Sequence, residues 1–141
     1  MKLDKSNGII KVKYRGQTLS IDLFKELAID ENLIDSQLKD SPSSYFIFTQ
    51  LRDKYIRKRD DLAREKEEAY SKAWIFYKDS NDRLNNEYVS HKANTTAKYT
   101  SICKRYNRLV EKTNMFISIC KAYESRENIL RTISANLRKQ S

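Results

Sequence analysis

The sequence contains few of the residues that interrupt helices. Its 141 residues include only two Gly and one Pro, the residue types that break or end helices most strongly. Charged residues make up 33% of the chain and hydrophobic residues 39%, a balance typical of amphipathic helices. We therefore expect a mainly α protein, with room for one domain or for an elongated oligomerising chain.

Residues for most kinds of active site are also scarce. One His and two Cys cannot supply a four-ligand zinc site or a nucleophile-His-carboxylate set. The sequence has no Gly-rich phosphate loop, and its acids form no persuasive pair like those of two-metal nucleases. We expect a protein that is not an enzyme and needs no metal or cofactor.

Long apolar runs are missing as well. No run approaches the ~18 apolar residues of a membrane-spanning helix, and Met1 to Asp4 lack the apolar core of a signal peptide. On one helix, Cys103 and Cys120 would lie ~25 Å apart, far beyond the ~7 Å limit for a disulfide. We expect a soluble, cytoplasmic protein without membrane contacts, in a reducing environment.

The last third of the chain has the strongest pattern, an apolar column repeated every seven residues. A 3.5-residue repeat without Pro or Gly predicts one helix or two stacked helices. A continuous helix from Thr95 to Lys139 would be roughly 65 Å long, more than we expect a small monomer to bury. The pattern therefore predicts oligomerisation through the C-terminal helix, along the column Ile102, Leu109, Phe116, Tyr123, Leu130 and Leu137.

The net charge of +9 is concentrated in the same region. From Lys92 to Ser141 there are 11 Lys and Arg residues against three acids. Lys98, Arg105 and Lys112 recur every seven residues beside the apolar column. This charge indicates a polyanion partner, most commonly nucleic acid. The alternative is a basic surface that only keeps the protein in solution.

The N-terminal region predicts two kinds of structure. Residues 8–21 predict a small β-hairpin, because apolar and basic residues alternate before a turn at Gly16 and the apolar residues Leu19 and Ile21 follow it. Asp22 to Asp40 is acidic and predicts two short helices. We divide the chain into an N-terminal β-hairpin, residues 1–21, and a helical DNA-binding and oligomerisation domain, residues 22–141.

Two long helices are expected in the second domain. Ser41 and Pro42 are typical of a helix start, as N-cap and first helical residue, and the helix is expected to end near Tyr77 or Asn81. The polar segment from Asp79 to Ala97 predicts a connection that folds the two helices into a long antiparallel hairpin.

Cations beside aromatic residues on these helices are the candidate DNA contacts. Bases of an unpaired strand can stack on aromatic rings while Lys and Arg bind phosphates. The alternative for the one Trp is packing in the core, where aromatics at helical spacing usually lie. The candidate DNA-binding residues are Arg57, Lys58, Arg64, Lys72, Trp74, Lys104, Arg105 and Arg108.

Three segments resemble the UvsY-like recombination mediators of bacteriophages. They are residues 35–45 before the first long helix, residues 95–99 at the start of the second, and residues 126–138 near its end. The resemblance covers roughly residues 33–139. It implies a ring-like homo-oligomer that binds single-stranded DNA and consumes no nucleotide. Its implied partners are a RecA-like recombinase, which it helps to load, and the single-strand-binding protein that covers the DNA.

The resemblance also implies where DNA binds. The family's basic Lys-Ala-Arg pattern corresponds here to Lys72, Ala73 and Trp74, of which Lys72 matches and Trp74 departs. The N-terminal hairpin has no counterpart in the resemblance. The alternative function is a phage coiled-coil adaptor or inhibitor that binds an acidic surface of a host protein and shows little preference between single strands and duplex.

Overall fold

The computed structural model describes residues 2–4, 7–39, 43–81 and 83–140. A small antiparallel sheet is followed by helices, which confirms the mainly α class with a long helical hairpin, short N-terminal helices and an N-terminal β-hairpin. A 3-10 turn, Glu31–Leu33, precedes the second helix. The elements are β1 Lys2–Asp4, β2 Ile9–Tyr14, β3 Gln17–Asp22, α1 Leu23–Leu27, α2 Ile34–Lys39, α3 Ser43–Ser80, α4 Asn86–Asn94 and α5 Ala97–Gln140.

The chain packs as two compact units. Residues 1–52 and 116–141 form one, called here the terminal unit, and residues 53–115 form the central unit. Helices α3 and α5 each contribute one part to each unit. The boundary that the sequence indicates between residues 21 and 22 stays a prediction.

The predicted β-hairpin is present in the terminal unit. β2 and β3 pair antiparallel, with Ile10 opposite Ile21. The two loop residues, Arg15 and Gly16, both have positive φ, 50° and 77°, as the favoured two-residue hairpin turn requires. A further strand, β1, was not predicted; it pairs with the other side of β2 and places Leu3 opposite Ile10.

The two short helices expected in the acidic segment are also present. The Asp22 carboxylate accepts a hydrogen bond from the Lys25 amide at 3.1 Å, and Asp30 accepts one from the Asn32 amide at 3.0 Å. Carboxylates at this position satisfy amides that the first helical turn leaves unpaired. Two of the acids are therefore helix caps.

Aromatic side chains form the core of the terminal unit where α3 and α5 run antiparallel. Phe48, Phe116 and Tyr123 are each at most 2% exposed. The Phe48 ring lies 6.2 Å from the Phe116 ring and 5.9 Å from the Tyr123 ring, measured between centroids. The beginning of α3 is thus paired with the second half of α5.

The central unit pairs the rest of the two helices in the same antiparallel sense. Leu62, Ala69 and Ile102 form its buried cluster. Thr113 is fully buried, and its hydroxyl hydrogen-bonds to the Leu109 carbonyl at 2.7 Å. The predicted cap and first residue of α3, Ser41 and Pro42, lie outside the described residues.

The connection between the long helices differs from the expectation of a polar loop, because it contains α4. The Asn85 side chain caps this helix by accepting from the Tyr88 amide at 2.7 Å, and Val89 and Ala93 are fully buried one turn apart. His91 lies exposed on α4. A single apolar pair in nine residues is too short for periodicity to reveal.

The seven-residue column of α5 is mostly buried by the chain itself. Ile102, Phe116, Tyr123 and Leu130 are 7%, 1%, 2% and 0% exposed, whereas Leu137 is 48% exposed. The expectation that the column is too long for one chain to bury is therefore wrong for these four residues, and Phe48 of α3, for example, packs on Phe116 and Tyr123. Oligomerisation itself stays a prediction, and it would have to use the side chains that remain exposed.

Other features concern chemistry and location. Cys103 and Cys120 are both free on α5. Within the described residues, no helix is sufficiently long and apolar to pass through a membrane. The described His, Cys, Asp and Glu side chains also form no group of three that could hold a metal ion.

Candidate nucleic-acid interface

Five exposed cations lie together on the outer face of α5 in the central unit. At 100° per residue they fall within about 120° of the helix circumference, in an arc centred about 110° from the buried Ile102 and Thr113. They extend over about 21 Å of helix. We call this surface the basic strip; it consists of Lys98, Lys104, Arg105, Arg108 and Lys112.

The strip's charge is not neutralised by neighbouring acids. Glu111 is the one acid between residues 97 and 115. No acid in the described part of the chain forms an ion pair with a strip cation. A polyanion can therefore contact this run of cations without first displacing an acid.

The cations predicted on α3 have a different environment. Arg57, Lys58, Arg64 and Lys72 are all exposed, but Arg64 forms an ion pair with Asp61. The Lys58 ammonium lies 5.2 Å from the Tyr55 ring centroid. Six acids are distributed among these cations, which makes the surface mixed: Asp53, Asp60, Asp61, Glu65, Glu67 and Glu68.

The structure therefore brings together only part of the predicted DNA-binding set. Lys104, Arg105 and Arg108 lie in the basic strip, whereas the α3 cations alternate with acids. Lys98 and Lys112 belong to the strip but were not among the predicted contacts. Their seven-residue spacing with Arg105 was the sequence signal that could have included them.

A groove lies close to the N-terminal end of the strip. Its volume is about 380 Å³. The rings of Tyr70 and Tyr99 lie with centroids 5.5 Å apart and planes tilted by 55°. We call this cavity the tyrosine groove; it is lined by Lys66, Glu67, Tyr70, Ser71, Asn94 and Tyr99.

The polar groups around the groove have defined partners. The Lys66 ammonium lies 4.7 Å from the centroid of the Tyr106 ring, a cation–π contact between α3 and α5. The side-chain interaction with Cys103, together with burial, raises the pKa of Tyr99 above its ordinary value of 10.0. Tyr99 is therefore a neutral phenol at physiological pH.

Trp74 lies outside the lining of the tyrosine groove. Its side chain is half-buried, so it is neither a fully enclosed core residue nor a freely exposed stacking platform. Lys72 lines a separate shallow depression in the outer face of α3, together with Arg64, Glu67, Glu68, Ser71 and Ile75. Tyr70 and Tyr99, rather than Trp74, line the groove, and Tyr99 directly follows the strip residue Lys98.

Comparison with known proteins adds no assignment. The sequence matches no family model, and no curated protein or solved structure is significantly similar to it.

Proposed function

We propose that the chain binds single-stranded DNA without reading its sequence, and that it acts as a recombination mediator. The observation that carries the proposal is the basic strip, with five exposed cations and no paired acid among the described residues. Phosphate contacts from Lys and Arg hold a strand in register but carry no sequence information. The protein needs no catalytic group for this function.

The shape of the strip explains why assembly would matter. The strip follows the convex surface of one helix and cannot enclose a strand, so the affinity of one chain is expected to be modest. Repetition of the strip in a homo-oligomer would multiply the contacts through effective concentration. A ring, as the family resemblance implies, would place several strips on one strand.

The mediator role is supported by the resemblance to the UvsY-like family. In this role the chain would hold a strand that the single-strand-binding protein has covered and transfer it to a RecA-like recombinase. Many separate phosphate contacts favour such a transfer, because each can be released individually as the recombinase advances.

Fluorescence anisotropy with a labelled oligonucleotide, single-stranded and duplex, over a salt series tests DNA binding. For single strands, log affinity falls against log salt with a slope of about −0.7 per phosphate neutralised. The triple variant Lys98→Gln/Arg105→Gln/Lys112→Gln should bind more weakly and make the slope shallower by about 2.

A matched control removes the same charge elsewhere. Lys25, Lys121 and Lys139 are exposed cations of the terminal unit, and their triple substitution by Gln lowers the net charge equally. Similar losses of affinity for single-stranded DNA in both variants would show that net charge alone drives binding. Weak binding that is indifferent to strandedness and to the strip variant would overturn the proposal and favour a protein-binding adaptor.

The mediator step needs its own measurement. Filament assembly by a RecA-like recombinase, on DNA precoated with its single-strand-binding protein, should accelerate when the wild-type chain is added. The strip variant should accelerate it less. Equal acceleration by both proteins would contradict a role for the strip in loading.

A further inference from the structure

We propose that the tyrosine groove is a subsite for one unpaired nucleobase of the bound strand. This inference rests on the proposed function and adds to it, because it gives a physical reason for preferring single strands. The groove's volume of about 380 Å³ is within the range of small-molecule sites.

The two tyrosine rings supply the surface on which a base can stack. Tyr70 and Tyr99 are both half-buried, so each is held by the fold while part of its ring still lines the groove. Tyr99 packs against the buried cluster of Leu62, Ala69 and Ile102. Stacking on such fixed rings is tolerant of base identity, because every base has a π face.

The charges around the groove favour a neutral group over a phosphate. Lys66 and Glu67 contribute one charge of each sign to its lining, and the Lys66 ammonium lies over the Tyr106 ring. A phosphate in the groove would approach the Glu67 carboxylate, which repels it. A base carries no such penalty, and the Asn94 amide and Ser71 hydroxyl offer donors and acceptors for its edge.

The position of the groove connects it to the basic strip. Lys98, the first cation of the strip, directly precedes Tyr99, which lines the groove. A strand whose phosphates follow the strip therefore has a base within reach of the groove at this end. In duplex DNA that base is paired and stacked, and freeing it costs energy.

The test separates bases from phosphates. Anisotropy compares a labelled single strand with a strand of the same length made entirely of abasic nucleotides, whose phosphates are unchanged. Wild-type protein should bind the normal strand roughly tenfold more tightly, the scale of one stacked base. Tyr70→Leu should remove most of this ratio and leave binding of the abasic strand unchanged, whereas Tyr70→Phe should preserve the ratio.

Two further variants guard against a folding artefact. Tyr88 is an exposed tyrosine of α4 outside the groove lining, so Tyr88→Leu should leave the ratio intact. Asn94 is exposed, so Asn94→Ala should preserve the fold. It should also lower the ratio of normal-strand to abasic-strand affinity, but by a several-fold smaller factor than Tyr70→Leu does. Circular dichroism and thermal melting of each variant check the fold.

The outcomes distinguish the two proposals. If the wild type binds both strands equally and the strip variant weakens both, the groove is not a base site but DNA binding by the strip stands. If the ratio persists in Tyr70→Leu and in Asn94→Ala, the base binds elsewhere. If the wild type binds neither strand, the proposed function fails and the groove inference fails with it.

Discussion

The Tyr123 hydroxyl donates a hydrogen bond to the Glu26 carboxylate, a contact between residues 97 positions apart in the sequence. The Ser44 hydroxyl donates to the other carboxylate oxygen at 2.6 Å. One acid of the segment that looks like an acidic patch in the sequence thus joins α1, α3 and α5 inside the terminal unit. Its role there is to accept hydrogen bonds from buried or half-buried partners.

This contact predicts that the protein loses stability at alkaline pH. Burial, and next the hydrogen bond to Glu26, raise the pKa of Tyr123 above its ordinary value of 10.0. A group whose pKa is raised in the folded state stabilises the fold fully at a pH below its unfolded pKa. Tyr123 therefore loses this contribution to stability as the pH rises above 10. The free energy of unfolding should therefore fall by up to about 1.4 kcal/mol per pH unit from this group.

Urea unfolding over a pH series measures the effect. Tyr123→Phe should cost about 1 kcal/mol at neutral pH through the lost hydrogen bond, and its stability should decline less steeply above pH 10. The two proteins should converge as the pH rises. Parallel curves above pH 10 would show that Tyr123 titrates alike in the folded and unfolded chains.

A second prediction concerns the contact of Gly8 with Phe24. Gly8 has φ of +66°, and a Cβ there would lie 2.5 Å from Phe24 Cδ2. Gly16 has φ of +77°, but a Cβ there would meet no atom within 4 Å. Gly16→Ala should cost about 1–2 kcal/mol for its backbone alone, and Gly8→Ala about 1 kcal/mol more, because the Phe24 ring must move.

Thermal or urea unfolding can isolate the part of the Gly8→Ala cost that comes from the clash with Phe24. In a Phe24→Ala background the costs of Gly8→Ala and Gly16→Ala should become similar. A difference that survives in this background would mean that the Phe24 ring is not what limits substitution at Gly8.

A third prediction separates folding from assembly. Phe116 is 1% exposed and packs on Phe48, so Phe116→Asp should destabilise the terminal unit by more than about 3–5 kcal/mol. Leu137 and Ile129 are each 48% exposed, so Leu137→Asp and Ile129→Asp should fold. If exposed apolar residues of α5 carry assembly, light scattering should show a lower mass for these two variants. An unchanged mass for both would place the assembly surface elsewhere.

A fourth prediction compares the two sets of cations. Arg105→Gln/Arg108→Gln should make the salt dependence of single-strand binding shallower by about 1.4. Arg64→Gln/Lys72→Gln should change it little, because Arg64 is paired with Asp61 and acids surround both positions. The opposite ranking would favour the contact at Lys72 that the family resemblance implies.

The helices and the hairpin were predictable because their signals are local and repeated. The column on α5 extends over many turns, and the Arg15-Gly16 turn has flanking strands that alternate clearly. A second seven-residue column, on α3, consists of Phe48, Tyr55, Leu62, Ala69 and Phe76. β1 has three residues and α4 has nine, and these elements are too short to show a period. Their formation depends on partners elsewhere in the chain, such as β2 for β1.

Which helix covers which residue could not be read from spacing alone. Phe48 and Phe116 both belong to seven-residue columns, but only the packed chain shows that one column covers the other. The tyrosine groove was missed for the same reason, because Tyr70, Asn94 and Tyr99 come from three different helices. The basic strip, confined to one helix, was visible in part through the recurrence of Lys98, Arg105 and Lys112.

The division of the chain into two units has a consequence for the order of folding. The central unit is one continuous segment, residues 53–115, so its two helices can pair without the residues that precede or follow it. The terminal unit instead joins two distant segments, and Phe48 near its start is packed against Phe116 and Tyr123 near its end. The aromatic core around Phe48 therefore cannot close before the second half of α5 has been added and has folded back on α3.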